Sequence, residues 1–129
     1  MRFVKLLAAA AAGCAATPAL ATSTLFCRSA LSPTDGPRLS LVVGTGAGSG
    51  IVQARLEQGG RSFTTGERPG SPAIGQSWLD RHSLRLTIVD ANAETEILRL
   101  EAWKRSGWSY SGTLRHGGRS WRVRCSEQG

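Results

Sequence analysis

Apolar and polar residues alternate with a period of two along most of the chain after residue 21. Leu84, Leu86 and Ile88 occupy one set of alternate positions, and Arg85 and Thr87 occupy the other. This alternation is typical of half-buried antiparallel strands, because successive side chains of a strand lie on opposite faces of the sheet. The pattern recurs and predicts about eight strands, at 24–29, 38–43, 51–57, 61–65, 83–90, 95–103, 108–115 and 119–125.

The breaks between these strands are mostly short and rich in turn-forming residues. Gly59 and Gly60, for example, form a two-residue break that tolerates positive φ, as tight hairpins require. The segment 66–75 contains two prolines and is predicted to be a longer irregular loop, and 76–80 is ambiguous between a short strand and a helical turn. Short hairpins place sequence neighbours side by side in a sheet, so the chain is predicted to be an antiparallel meander.

Two cysteines, Cys27 and Cys125, lie in the first and last predicted strands, on the apolar face of each. The third cysteine of the chain, Cys14, lies in residues 1–21, which are predicted below to be removed as an export signal. The two that are left can pair in only one way, which predicts a single disulfide. A bridge between the first and last strands on the core side is what a closed sheet would produce, and closure removes exposed edges. We therefore expect an all-β fold, a small antiparallel up-and-down barrel of about eight strands, with a two-sheet β-sandwich as the alternative.

Residues 1–21 have the build of a cleavable secretory signal peptide. Arg2 and Lys5 precede a short alanine-rich apolar run, and the segment ends in an Ala-x-Ala pattern. In an alternative interpretation Cys14 is the lipidated first residue of a bacterial lipoprotein. The favoured interpretation leaves 22–129 as one β domain, exported to the periplasm or the extracellular space, without a transmembrane segment and monomeric.

The composition adds a basic charge to this picture. The chain carries 16 Lys and Arg against 9 Asp and Glu, for a formal net charge of +7, which falls by two if Arg2 and Lys5 leave with the signal. A moderately basic exported domain is suited to anionic lipid, anionic polysaccharide or acidic protein. We expect an envelope protein or an anionic polymer as partner and no nucleic acid, since an exported protein meets little of it.

The chain lacks a convincing catalytic, metal-binding or nucleotide-binding signature. The glycine-rich segment 44–50 has no Gly-Lys-Ser/Thr, and a strand rather than a helix is predicted after it, so no helix N-terminus is available for a phosphate. His82 and His116 have no recognisable nucleophile beside them, and two histidines without a free cysteine rarely complete a zinc site. No enzymatic activity, metal or cofactor is expected.

Basic residues and tryptophans are interleaved near the end of the chain. Most of the aromatic residues there fall on the apolar face of their strands, whereas Trp103 falls on the polar face. The outward positions and the neighbouring hairpin form a candidate contact surface: Trp103, Lys104, Arg105, Arg115, Arg122 and Arg124.

These features favour a non-enzymatic binding or inhibitor-type module of the cell envelope that uses hairpin tips or a basic outer face. In size, export and its single bridge the chain resembles the small periplasmic β-barrel inhibitors of lysozyme. This resemblance of architecture implies a binding role and assigns no residue to it. Two alternatives remain at this point: a carrier of a small apolar ligand inside the barrel, and a structural envelope protein or lipoprotein.

Overall fold

A computed structural model describes residues 22–32, 34–44, 50–107 and 109–127. The predicted export signal with Cys14, most of the glycine-rich segment and Trp108 lie outside the described residues. Within the described ranges the chain forms β-strands, turns and bends, and no helix.

Nine antiparallel strands form one sheet in the part of the chain that the structure describes. They are β1 (Thr22–Ser29), β2 (Arg38–Gly44), β3 (Gly50–Gln58), β4 (Arg61–Thr64), β5 (Ala73–Leu79), β6 (Ser83–Val89), β7 (Glu96–Ser106), β8 (Ser109–His116) and β9 (Arg119–Glu127).

The strand order across the sheet is β4-β3-β2-β1-β9-β8-β7-β6-β5. Consecutive strands are therefore neighbours, as short hairpins predict, and the first and last strands pair in the middle of the sheet. The sheet curls into a half-barrel whose edges are β4 and β5. The predicted all-β antiparallel fold with joined first and last strands is confirmed.

Of the nine strands, β5 is the one that the sequence pattern did not assign. It begins inside the segment predicted to be an irregular loop and includes most of the segment that was ambiguous. Its side chains do not alternate cleanly between buried and exposed, and four consecutive residues, Gly75 to Trp78, are exposed. Pairing with β6 makes this segment a strand, with a register shift between Ile74 and Gln76.

The core consists of the inward set of alternate residues. Leu41, Ala54, Leu84, Ile88, Leu100, Leu114 and Cys125 are 0% exposed. Leu25, Leu39, Leu56, Leu86, Leu98, Ala102, Tyr110 and Val123 are also buried. Trp121 is half-buried against this cluster. Since side chains with no accessible surface border no water-sized void, the concave side of the sheet is packed with side chains.

The disulfide lies inside this core. Cys27 and Cys125 are directly opposite each other on β1 and β9, with 3.9 Å between their Cα atoms, and both are at most 1% exposed. The predicted bridge is confirmed, and so is its position on the core side of both strands.

Strands β7 and β8 approach each other closely at Gly112. This residue is opposite Ala102, and a Cβ atom there would overlap the carbonyl oxygen of Glu101 and the Cα atom of Ala102. Backbone atoms cannot rotate away as the end of a side chain can. Only glycine fits this position without moving the two strands apart.

Candidate binding surface

Three arginines form a row across the outer face of strands β2, β1 and β9. Arg28 is directly opposite Arg38 on one side and Arg124 on the other. All three side chains are exposed. Each is next in its strand to a buried residue (Cys27, Leu39 or Cys125), and a strand alternates its faces. The disulfide thus lies on the core side of the sheet, one register position along from the Arg28–Arg124 pair.

Within the described residues, none of these three guanidinium groups has an ion pair or a hydrogen bond. Glu57 is opposite Arg38, but its carboxylate pairs with Arg55 at 3.1 Å. Like charges directly opposite each other on neighbouring strands destabilise a sheet. The row is therefore a concentration of positive charge that does not help the fold.

A shallow cleft adjoins the row on the β8 side. Arg105, Arg122 and Arg124 line it, together with the hydroxyl-bearing residues Ser106, Ser109 and Ser111, and its volume is about 480 Å³. Guanidinium and hydroxyl groups are both hydrogen-bond donors, which suits an oxyanion. We call Arg28, Arg38, Arg122 and Arg124 the arginine face.

The structure brings together part of the contact surface suggested by the sequence. Arg122 and Arg124 lie on the arginine face, and Arg105 lines the adjoining cleft at a register shift of β7. Trp103 is 50% exposed and is opposite Ser111, which is in turn opposite Arg124.

The other two residues of that surface lie apart from its centre. Lys104 is half-buried and is opposite the buried Tyr110, on the inward side of β7. Arg115 is further along β8, opposite Arg99 and Ser120.

Arg28 and Arg38 are the residues that sequence reasoning missed. A signal for Arg28 did exist. A bridge between Cys27 and Cys125 places Arg28 directly opposite Arg124. The reason is that Arg28 follows one cysteine, Arg124 precedes the other, and the two strands are antiparallel.

The histidines occupy unrelated positions. His82 is exposed in the β5–β6 turn, where its backbone amide donates to Asp80. His116 is half-buried at the end of β8, its Nδ1 is 3.0 Å from the carbonyl oxygen of Ile97, and its ring is 6.4 Å from that of Phe63. Among the described residues, no three His, Cys, Asp or Glu side chains are grouped as metal ligands would be.

The β5–β6 turn is built around one carboxylate. Oδ1 of Asp80 accepts hydrogen bonds from the backbone amides of His82 and Ser83 at 2.7 Å each, and Oδ2 accepts one from Nε1 of Trp78 at 2.7 Å. These bonds, led by that from the His82 amide, lower the pKa of Asp80 from 3.8 to about 2. Burial and the nearby Asp80 charge raise the pKa of Tyr110, whose hydroxyl donates to the Asp80 carbonyl oxygen at 3.1 Å.

The Asp80 turn should make folding stability depend on acid pH. Because the folded-state pKa lies below the ordinary value of 3.8, the stabilising effect is fully present above about pH 4 and is lost as pH falls through about 2. Thermal unfolding between pH 5 and pH 2 should therefore show a larger fall in midpoint for the native chain than for Asp80→Asn. Carbon NMR titration should place the Asp80 midpoint near 2. A midpoint at the ordinary value would contradict the hydrogen-bonded turn.

No helix in the described part of the chain is long and apolar enough to cross a membrane. Comparison of the chain with protein-family models, with curated proteins and with solved structures gave no match.

Proposed function

We propose that this domain is an exported, non-enzymatic binding module that recognises an anionic polymer of the cell envelope through its arginine face. The observation that carries the proposal is the row Arg38–Arg28–Arg124, in which like charges are opposite each other on neighbouring strands and form no ion pair with any acidic side chain that the structure describes. A polymer of phosphate, sulfate or carboxylate groups would neutralise several of these charges at once and release its own counterions.

The packed interior supports recognition at the surface rather than inside the half-barrel. A carrier needs a cavity of some hundreds of Å³. The inward side chains of β2, β6, β7 and β8 instead include residues with no accessible surface at all, such as Leu41, Leu84 and Leu100. The clefts seen among the described residues open on the outer face or at the sheet margins.

Export is the part of the proposal that rests on the signal-like residues 1–21 and on the disulfide. Structural disulfides form and persist in oxidising compartments and are rare in the cytosol. A buried bridge between β1 and β9 fits a protein that completes its fold after export.

Reversing two charges of the arginine face should weaken binding to a polyanion. We expect the double variant Arg28→Glu/Arg124→Glu to bind fluorescent linear polyphosphate at least about tenfold more weakly than the native oxidised domain. Its affinity should also depend less steeply on salt, because fewer counterions are released. Fluorescence polarisation measures both the affinity and its salt dependence. The NaCl concentration should be varied from about 25 to about 300 mM, because the Debye length changes strongly over this range.

The matched control is Arg68→Glu/Arg81→Glu, which makes the same change in net charge at two exposed turn residues away from the face. The control should keep most of the native affinity. Equal losses in the two double variants would show that net charge alone drives binding, and no binding by the native domain at low salt would overturn the proposed function.

A further inference from the structure

Trp78 combines high exposure with a fixed orientation. It lies on the edge strand β5 and is 60% exposed, yet its indole nitrogen donates to Oδ2 of Asp80 at 2.7 Å. A large aromatic side chain left this open to water loses the benefit of burial, roughly 25 cal/mol per Å² of apolar surface. Holding it in one orientation has no evident structural purpose, since the ring packs on little of the core.

The support beneath this tryptophan is rigid. The carboxylate of Asp80 is itself held by the amides of the β5–β6 turn. The turn is tied to two further strands, because the hydroxyl of Tyr110 donates to the carbonyl oxygen of Asp80 and the amide of Lys104 donates to that of His82 at 2.9 Å. The indole ring is therefore preorganised, which reduces the entropy that a ligand must overcome on binding.

A groove runs beside Trp78 on the outer face of β5, β6 and β7. Trp78 is opposite Arg85, and Arg85 is opposite Glu101. The groove has a volume of about 780 Å³, and its lining also includes Gln76, Ser83, Thr87 and Arg99. The register shift of β5 lies immediately before this segment, and such bulges often occur where a strand presents side chains to a ligand.

The charges of the groove balance. Arg99 pairs with Glu96 at 2.7 Å, and the Asp80 carboxylate is engaged by the turn. In the described part of the chain, the Arg85 guanidinium and the Glu101 carboxylate have neither an ion pair nor a side-chain hydrogen bond, so one donor group and one acceptor group of opposite charge remain available. This balance distinguishes the groove from the arginine face.

We propose that this groove binds an uncharged pyranose glycan. The flat face of a pyranose ring carries C–H groups that pack on the electron-rich face of an indole. Vicinal hydroxyl groups of the same sugar can accept from the Arg85 guanidinium and donate to the Glu101 carboxylate. The polar lining suits a hydroxylated ligand, whereas a docked protein segment would meet only one large apolar side chain here. This site is separate from the arginine face and would extend the module's function to neutral polysaccharide.

The test uses β-1,4-linked hexasaccharides of glucose, N-acetylglucosamine, mannose and xylose, added to the oxidised domain at millimolar concentration. Nitrogen–proton NMR should show a shift of the Trp78 indole resonance with at least one of the four, and calorimetry should give its affinity. Trp78→Ala should weaken binding at least about tenfold, as loss of a central aromatic contact does. Glu101→Gln, which keeps the shape of the side chain, should weaken it less.

Val52→Ala is the matched control, because Val52 is 59% exposed on the outer face of β3, away from the groove. This control should bind as the native domain does, and circular dichroism should show every variant folded. A Trp78 resonance unmoved by all four sugars, or equal affinity in Trp78→Ala, would overturn the inference. Arg28→Glu/Arg124→Glu should leave sugar binding unchanged, so the failure of one site is distinguishable from the failure of the other.

Discussion

Replacing both cysteines with alanine is expected to lower the free energy of unfolding by about 4–5 kcal/mol. Cys27 and Cys125 are separated by 98 residues, so the bridge restricts the unfolded chain over almost the whole domain. The estimate comes from loop-closure entropy. Single domains have roughly 5–15 kcal/mol of stability in total, so the loss would be about a third of that stability or more.

Urea denaturation of three samples separates two contributions to the free energy of unfolding, that of the cross-link and that of the packed sulfur atoms. The oxidised domain, the same domain reduced with dithiothreitol, and Cys27→Ala/Cys125→Ala should be compared at one pH. The reduced native chain keeps both sulfur atoms, so its loss of stability reports the cross-link alone. We expect the reductant to leave the double variant unaffected. A loss below about 1 kcal/mol on reduction would contradict the expected role of the bridge.

Gly112→Ala is expected to cost about 2–3 kcal/mol, a large effect for one methyl group. The added Cβ would overlap backbone atoms of Glu101 and Ala102, and neither can move without separating β7 from β8. Because Gly112 is also opposite Val123 on β9, the shift would extend across three strands. Urea denaturation should show a lower midpoint for the variant with an unchanged dependence on denaturant.

Gly50→Ala is the control for the effect of replacing a strand glycine with alanine where the added Cβ meets no other atom. Gly50 is also in a strand, and nothing lies within 4 Å of a Cβ built on it. Its replacement should change stability by no more than about 0.5–1 kcal/mol, in either direction. Equal stability of the two variants would mean that β7 and β8 accommodate a side chain at Gly112 without cost.

Most of the inward positions could be predicted because one apolar face recurs in strand after strand. At the register shift between β2 and β3 the alternation breaks, so that Ile51 is buried and Val52, which alternation with Ala54 predicts to be inward, is exposed. The alternation of Leu84, Leu86 and Ile88 was sufficient to assign them to the core, and the cysteines followed from the same parity. The segment at β5 lacked that signal because it is an edge strand with an exposed run, and only its pairing with β6 defines it. Tertiary contacts, rather than local preference, decide such segments.

The candidate surfaces depend on the register between neighbouring strands, and the residue pattern along a single strand gives no information about that register. Arg28, Arg38 and Arg124 are far apart in sequence and become neighbours only when three strands are aligned. Part of that alignment was implied by the disulfide. The orientation of Trp78 could not be predicted, because it depends on a hydrogen bond inside a turn whose conformation the sequence left ambiguous.

The position of β1 and β9 in the middle of the sheet has a consequence for the order in which the domain folds. Among the nine strands, every pairing except β1–β9 joins consecutive strands, so β1–β4 and β5–β9 are two sets of local hairpins. Local contacts form early at low entropic cost, whereas the one pairing of high contact order must bring together distant parts of the chain. The two halves would assemble separately, and their docking, with oxidation of the cysteines, would be the event that commits the chain to its native topology.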